Sequence, residues 1–236
     1  MNDIQCIGVI IDGNRRWAKK RGLVPMRGHE ATVKIFKEFI SWAREAGVRY
    51  VIAYVFSTEN WNRAPREVTF LMRLISRFFS RDLAELKKKK IRVRIAGIRS
   101  MLSKKIQQQV EQAERETASF QDFTLTLAFS YGGRDEIVAA ANALLALRGL
   151  QREKGLAQAK KEITKEEFAN HLWTAGIPDP DLIIRTSGEM RLSNFLPWQS
   201  VYSELFFPKT LFPDFTKEEF LQILDEYRAR QRRFGK

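Results

Sequence analysis

The stretch Ile7-Gly8-Val9-Ile10-Ile11-Asp12-Gly13-Asn14-Arg15-Arg16-Trp17 joins two unlike pieces of chain. Its first five residues form a continuous apolar run of strand length, as expected of a strand covered on both faces. Asp12-Gly13-Asn14 then breaks the run as a turn. The same change recurs along the chain. Val33, Phe36, Ile40 and Ala43 repeat at helical spacing, with Lys34, Lys37, Glu38 and Arg44 off that face and Gly47 closing the helix. Tyr50 to Phe56 is a second buried-strand run. Pro65 opens a long amphipathic helix on Val68, Leu71, Met72, Ile75, Phe78, Phe79, Leu83 and Leu86.

Ile91, Val93 and Ile95 alternate with Arg92 and Arg94, which predicts a half-exposed strand near a sheet edge. Phe123 to Phe129 alternates with Thr124, Thr126 and Ala128 in the same manner. Tyr131-Gly132-Gly133 turns into a helix through Leu147. Residues 148–163 are polar with weak periodicity and read as a mobile excursion. Thr164-Lys165-Glu166-Glu167 and Thr216-Lys217-Glu218-Glu219 each fit a capping box. Asp181 to Thr186 is a late strand, and Ser203 to Phe207 is a candidate for another. Strands alternating with helices predict an α/β fold: one domain over residues 1–236, with a central, mostly parallel sheet and helices on both faces.

The chain has 236 residues, 44% hydrophobic and 29% charged, which suits a folded globular protein. Forty-one Lys and Arg against 28 Asp and Glu give a formal charge of +13. That predicts an anionic partner: nucleic acid, an anionic membrane surface, or phosphorylated small molecules. Cys6 is the single cysteine, so no disulfide closes within the chain; with His29 and His171 it is too little for a Cys/His zinc site. No apolar run reaches the ~18 residues of a membrane span. Met1 to Ile11 has no basic n-region, so no signal peptide is read there and a cytoplasmic protein is expected.

Three polar clusters stand at the ends of expected strands, where ligands sit in such sheets. In Asp12-Gly13-Asn14-Arg15-Arg16, two guanidiniums and helix-start N–H groups suit a phosphate. Asp12 beside a phosphate calls for a bridging cation, and Mg²⁺ is the one held by few carboxylates. The second cluster is Ser57-Thr58-Glu59-Asn60-Trp61-Asn62-Arg63, leading to Glu67. The third is Arg185-Thr186-Ser187-Gly188-Glu189-Met190-Arg191-Leu192-Ser193-Asn194, then Trp198, Tyr202 and Glu204. Its arginines could hold a second anion, and Glu204 could be a second metal carboxylate. Caps and surface groups explain each residue taken singly.

Together these stretches, with Gly28-His29 and Ser130-Tyr131-Gly132-Gly133-Arg134, resemble the cis-prenyltransferase family over nearly the whole chain and in order, most closely its bacterial undecaprenyl diphosphate synthases. The resemblance implies a single α/β domain with an apolar tunnel, assembled as a homodimer. It implies condensation of an allylic diphosphate, typically farnesyl diphosphate, with isopentenyl diphosphate, using Mg²⁺ and making a polyprenyl diphosphate for a cell-wall carrier lipid. Asp12 falls on the essential aspartate and Glu204 on the other metal-linked acid. Gly13, Asn14, Arg15, Arg16 and His29 fall on allylic diphosphate positions, and Arg185, Arg191 and Ser193 on isopentenyl diphosphate positions. Ser57, Glu59, Asn60, Trp61, Arg63 and Glu67 fall in a loop closing over both, with Asn60 at the position assigned to proton removal. Trp17, Thr58 and Leu192 belong to the same motifs and count as substrate-binding. Arg233-Phe234-Gly235 resembles an element reaching the partner subunit's site.

Four positions depart from the pattern. Pro25 stands where an Arg is frequent, with Arg27 as its nearest substitute. Thr32 replaces a Gly, Met190 a His, and Val55 an Ala, where a bulkier residue favours shorter products. Two rival readings are a basic nucleic-acid-binding protein and a non-catalytic subunit of a heteromeric prenyltransferase. There is no RRM or KH signature, so no nucleic-acid partner is expected. Asp12, Asn60, Arg185, Arg191 and Glu204 are all retained, against the second rival. Peripheral contact with an anionic membrane is an expectation from net charge.

Overall fold

A computed structural model describes residues 4–153 and 162–230. The first apolar run becomes β1 (Cys6–Ile10), and the others become β2 (Tyr50–Ser57), β3 (Ile91–Ala96), β4 (Phe123–Tyr131), β5 (Leu182–Arg185) and β6 (Glu204–Phe206). They form one sheet in the order β3-β4-β2-β1-β5-β6, and every pairing is parallel. Helices connect them: α1 (Asn14–Lys20), α2 (Pro25–Glu45), α3 (Pro65–Arg77), α4 (Leu83–Lys88), α5 (Lys104–Thr117), α6 (Gly133–Glu153), α7 (Lys165–Ala169) and α8 (Lys217–Ala229). The result is a single-domain α/β fold.

One sheet face packs Val9, Val51, Phe56, Leu125 and Ile184 against apolar residues of α2, α5 and α8. The other packs Ile10, Ile52, Tyr54 and Ile183 against Phe195 and Leu196. The path from β1 runs to β2 on one side, whereas β5 and β6 continue on the other. The crevice between β1 and β5 is therefore the topological switch point, where such sheets bind ligands.

Three elements differ from expectation. β4 is not a half-exposed strand: all nine residues are buried, Thr124 and Thr126 included. It lies one place inside the sheet edge and helices cover both faces, so threonine, close to valine in shape, is enclosed. β3 is the edge strand, with Arg92 and Arg94 half-buried, as its alternation predicts. The long helix is interrupted by a π turn at Phe78–Asp82. The wider turn buries both Phe78 and Phe79, edge to face at 5.7 Å, and keeps Leu83 and Leu86 on the core side. Finally, α6 runs six residues past Leu147 to Glu153. Of the polar stretch 148–163, residues 154–161 lie outside the described residues, as does the Arg233-Phe234-Gly235 element. Among the described residues no helix is long and apolar enough to cross a membrane.

Candidate active site

Asp12 leaves β1 into the crevice, and Gly13 makes the sharp turn behind it with φ of 108°. A side chain there would be strained and would strike Leu211. Asp12 Oδ1 accepts from the Gly13 N–H at 2.6 Å. Asp12 Oδ2 meets Arg185 Nη2 at 2.9 Å and Arg16 Nη2 at 3.7 Å. Arg185, at the end of β5, is buried; it also donates to Ser193 Oγ at 2.7 Å, and its Nε is buried without a partner. One acid and two guanidiniums from chain segments about 170 residues apart thus share one spot. Thr186 locks the junction, its hydroxyl donating to the Asp12 carbonyl at 2.7 Å and accepting from the Asp12 N–H at 3.1 Å.

This spot opens into a cavity of about 1120 Å³. Asp12, Gly13, Asn14, Arg15, Arg16, His29, Ser57, Glu59, Asn60, Arg63, Arg185 and Ser193 all line it, so twelve of the expected site residues converge. Behind it lies a small apolar chamber of about 100 Å³, walled by Phe36, Val55, Leu74, Ile75, Phe78, Phe79 and Phe129. Ile11, Asn14, His29, Val55 and Leu71 line both spaces, so the two adjoin. Among the described residues the expected apolar tunnel is present as this small chamber.

A polar collar surrounds the junction. Gly28 lets α2 press against α1, since a Cβ there would lie 2.0 Å from the Asn14 carbonyl oxygen. Thr32 Oγ1 stands 2.6 Å from Asn14 Oδ1, which turns Asn14 Nδ2 toward His29 Nδ1 at 3.5 Å. His29 Nε2 faces Glu67 Oε1 at 3.3 Å, and the tautomer protonated on Nε2 suits both neighbours. Burial pushes the His29 pKa down from its usual 6.5, outweighing the bond to Glu67, so the ring is neutral at pH 7. Glu67, itself buried, also accepts from Arg63 at 3.1 Å.

The 3₁₀ turn Thr58–Asn62 carries the second cluster. The Ser57 N–H donates to Asn60 Oδ1 at 3.1 Å, and the Asn60 N–H donates to Ser57 Oγ at 3.2 Å. The amide oxygen of Asn60 is therefore committed to the cap, which leaves Nδ2, a donor, for the cavity. Burial raises the Glu59 pKa, but bonds from its own backbone, Asn194, Ser57 and Thr58 outweigh it and hold the carboxyl below its usual range. Asn194 Nδ2 donates to Glu59 Oε1 at 3.0 Å and so ties the second cluster to the third.

Six expected residues stand elsewhere. Trp17 donates to Asp214 at 2.7 Å under the Arg21 guanidinium, on the outer side of α1. Thr58 bonds Asp135, and Trp61 packs on Phe56 and donates to Ser130. Leu192 packs in the core beside Tyr54 and Phe195. Arg191 sits at the rim, 61% exposed and tied to Glu189, which also holds Arg16 at 2.9 Å. Glu204 is a clear correction: within one chain it does not meet Asp12. Register sets Glu204 level with Leu182 and Ile7, so Asp12 lies five residues further toward the carboxyl ends. At ~3.3 Å per residue that is roughly 16 Å along the sheet, and two strands across besides. Glu204 instead pairs with Arg230 at 2.6 Å. Conversely, Lys19, Tyr54 and Leu71 line the cavity with no expected role there, as does Asn194, the last residue of the third cluster. Tyr54 and Leu71 read locally as core.

Among the described residues no three His, Cys, Asp or Glu side chains gather into a metal cage. A lone Asp12 carboxylate at the crevice suits Mg²⁺ arriving with a diphosphate, since that ion takes one or two carboxylates plus substrate phosphates.

The comparisons agree with this geometry. Residues 10–235 match a prenyltransferase family model described as undecaprenyl diphosphate synthase. The isoprenyl transferase of Thermotoga maritima is 46% identical over 232 residues, covering 98% of this chain and 96% of that one. The isoprenyl transferase of Rhizobium meliloti is 46% identical over 230 residues, 97% and 91% of the two chains. Among solved structures, lavandulyl diphosphate synthase from Lavandula x intermedia, in complex with dimethylallyl diphosphate, superposes with a TM-score of 0.91 at 36% identity, covering 99% of each chain. A probable undecaprenyl diphosphate synthase from Campylobacter jejuni gives 0.81 at 33%, covering 100% of each. With a match spanning almost its full length and the motif residues gathered in one crevice, the chain belongs to the undecaprenyl diphosphate synthase family of prenyltransferases.

Proposed function

We propose that the protein is a Mg²⁺-dependent cis-prenyltransferase that extends an allylic diphosphate, farnesyl diphosphate by expectation, with isopentenyl diphosphate. Its product is a cis-polyprenyl diphosphate of undecaprenyl length or shorter, destined for a glycan carrier lipid. The observation that carries this is Asp12 between Arg16 and Arg185 at a polar cavity that adjoins an apolar chamber. Diphosphate binds at the first, and the hydrocarbon enters the second.

In the reaction the allylic C1–O bond breaks and diphosphate departs with the electron pair. The double bond of isopentenyl diphosphate attacks C1, and a proton leaves its C2 to form the new double bond. Asp12 would hold Mg²⁺ together with the substrate phosphates, and the bound ion would neutralise charge on the leaving group. Arg15, Arg16 and Arg63 add fixed positive charge on the same cavity wall. Neutral His29 offers no charge, and with Asn14 it guards the entrance to the chamber. Arg185 and Ser193 hold isopentenyl diphosphate, and Asn60 Nδ2 steadies it. A phosphate oxygen takes the proton, because the neutral amide of Asn60 is a poor base.

The small chamber and Val55 favour short products unless α3 moves aside. Assembly as a homodimer through the β6 side and peripheral contact with an anionic membrane complete the reading. The test incubates purified protein with farnesyl diphosphate, labelled isopentenyl diphosphate and Mg²⁺, and sizes the products with and without chelator. Chelator-sensitive chain extension supports the reading; no extension with any allylic starter rejects it. Asp12→Asn should lower kcat by about 10²–10³, the scale of losing one electrostatic contact to the transition state.

A further inference from the structure

The outward face of α3 and of the π turn that follows it carries Arg66, Arg73, Arg77 and Arg81, spaced seven, four and four residues apart. Seven and four residues are close to whole turns of an α-helix, so the first three align. The wider π turn brings Arg81 back into the same line, which strict α-helical winding would carry away. All four are exposed, and among the described residues none has an ion-pair or hydrogen-bond partner for its guanidinium. No acid opposes them on this helix: Glu67, its one acidic residue, is buried in the His29 collar. Asp82, just beyond, is taken by Lys37 at 2.7 Å. The stripe runs fifteen residues, or about 22 Å at 1.5 Å each, with half-exposed Phe70 beside it.

Four unpaired guanidiniums in line cost self-repulsion and contribute nothing to folding, so an anionic surface is the partner that balances them. The opposite side of the same helix supplies Leu71, Leu74 and Ile75 to the apolar chamber. A basic helix face with one aromatic beside it, Phe70, and an apolar space behind suits a bilayer better than a nucleic-acid groove, which would call for several aromatics to stack on successive bases. We infer that the arginine face of α3 docks the protein on anionic lipid headgroups, with the chamber wall turned toward the membrane. This deepens the membrane contact in the proposed function, but it is measured apart from prenyl transfer.

The experiment sediments the full chain with vesicles of phosphatidylcholine alone, or of phosphatidylcholine with phosphatidylglycerol, at physiological salt. Three proteins are compared: wild type; Arg66→Gln/Arg73→Gln/Arg77→Gln/Arg81→Gln; and a charge-matched control, Arg49→Gln/Lys104→Gln/Lys105→Gln/Arg115→Gln. Each exposed Arg is worth about a fivefold change in partition, so the stripe variant should lose roughly a hundredfold or more on anionic vesicles. The control should keep most of its binding, and both variants should keep prenyl transfer on soluble substrates. If the quadruple variant does not fold, Arg73→Gln/Arg77→Gln should still lose about 25-fold. The inference is overturned if the stripe variant binds like wild type, if neutral vesicles bind equally, or if the control loses as much. Stripe-dependent binding to an RNA duplex without vesicle binding would assign the face to nucleic acid instead. Loss of prenyl transfer in wild type with vesicle binding intact would sink the proposed function and leave this surface standing.

Discussion

Asn60 shows how one side chain's neighbours narrow its chemistry. Its oxygen accepts the Ser57 N–H, which holds the amide in place, and a neutral amide is a poor base by its own chemistry. Asn60→Asp keeps that acceptor and the cap but loses the donor, and it adds negative charge beside two diphosphates. The expected result is a KM for isopentenyl diphosphate raised about tenfold or more with the fold intact. Should Asn60→Asp instead raise kcat, a direct proton-accepting role would return. His29 gives a second prediction. Its pKa in the folded protein lies below 6.5, so between that lowered value and 6.5 the unfolded chain binds more protons. Stability therefore rises with pH through this window, is fully present above 6.5, and is lost as pH falls. Denaturant midpoints measured from pH 5 to 7.5 should slope upward for wild type and lose part of that slope in His29→Asn; equal slopes would refute it. Most of this site was readable in the sequence because Asp12-Gly13-Asn14 and Ser57 to Arg63 each carry strand end, turn and polar groups within a few residues. Glu204 was not. Its distance from Asp12 follows from the register of β5 and β6 against β1, which no local pattern encodes.

At the scale of elements, β2 and the long α3–α4 helix together set the size of the chamber. Val55 projects from β2 into both spaces, and Phe78 and Phe79 from the π turn line the chamber's far part. The sequence showed the apolar periodicity of this helix but not its π turn. Periodicity reports which residues face inward, whereas the wider turn resets the winding so that Leu83 and Leu86 beyond it stay on the core side. Likewise the threonines of β4 suggested exposure, although burial there depends on helices contributed by distant segments. Val55→Ala removes volume at the chamber entrance without disturbing the rings. It should cost about 1–2 kcal/mol, since the residue is half-buried. Product sizing should then show chains at least one isoprene unit longer. An unchanged product distribution would reduce Val55 to ordinary strand packing.

At the scale of the molecule, the two edges of the sheet are unlike. β3 carries half-buried Arg92 and Arg94, charges that discourage another strand from adding there. β6 is three residues long, and around it Val201 and Tyr202 are 68% and 76% exposed, with Leu205 at 36%. The loop before β6 folds over the start of α6 through Gln199 and Glu136. On α6, Val138 and Leu145, seven residues apart on one face, are also exposed. A soluble domain rarely leaves apolar groups gathered at a sheet edge unless another surface covers them. The apolar side of α3 faces β2 and β4 across the chamber, away from this edge, so self-association here would leave the outward arginine face open. Leu205→Lys places a charge on β6 among these exposed residues and touches neither the cavity nor the stripe. Sedimentation should show wild type as a dimer and the variant as monomer, with a thermal midpoint within a few degrees because the side chain is partly exposed in the single chain. If the variant remains dimeric, the contact lies elsewhere, and the exposed residues of β6 and α6 need another partner.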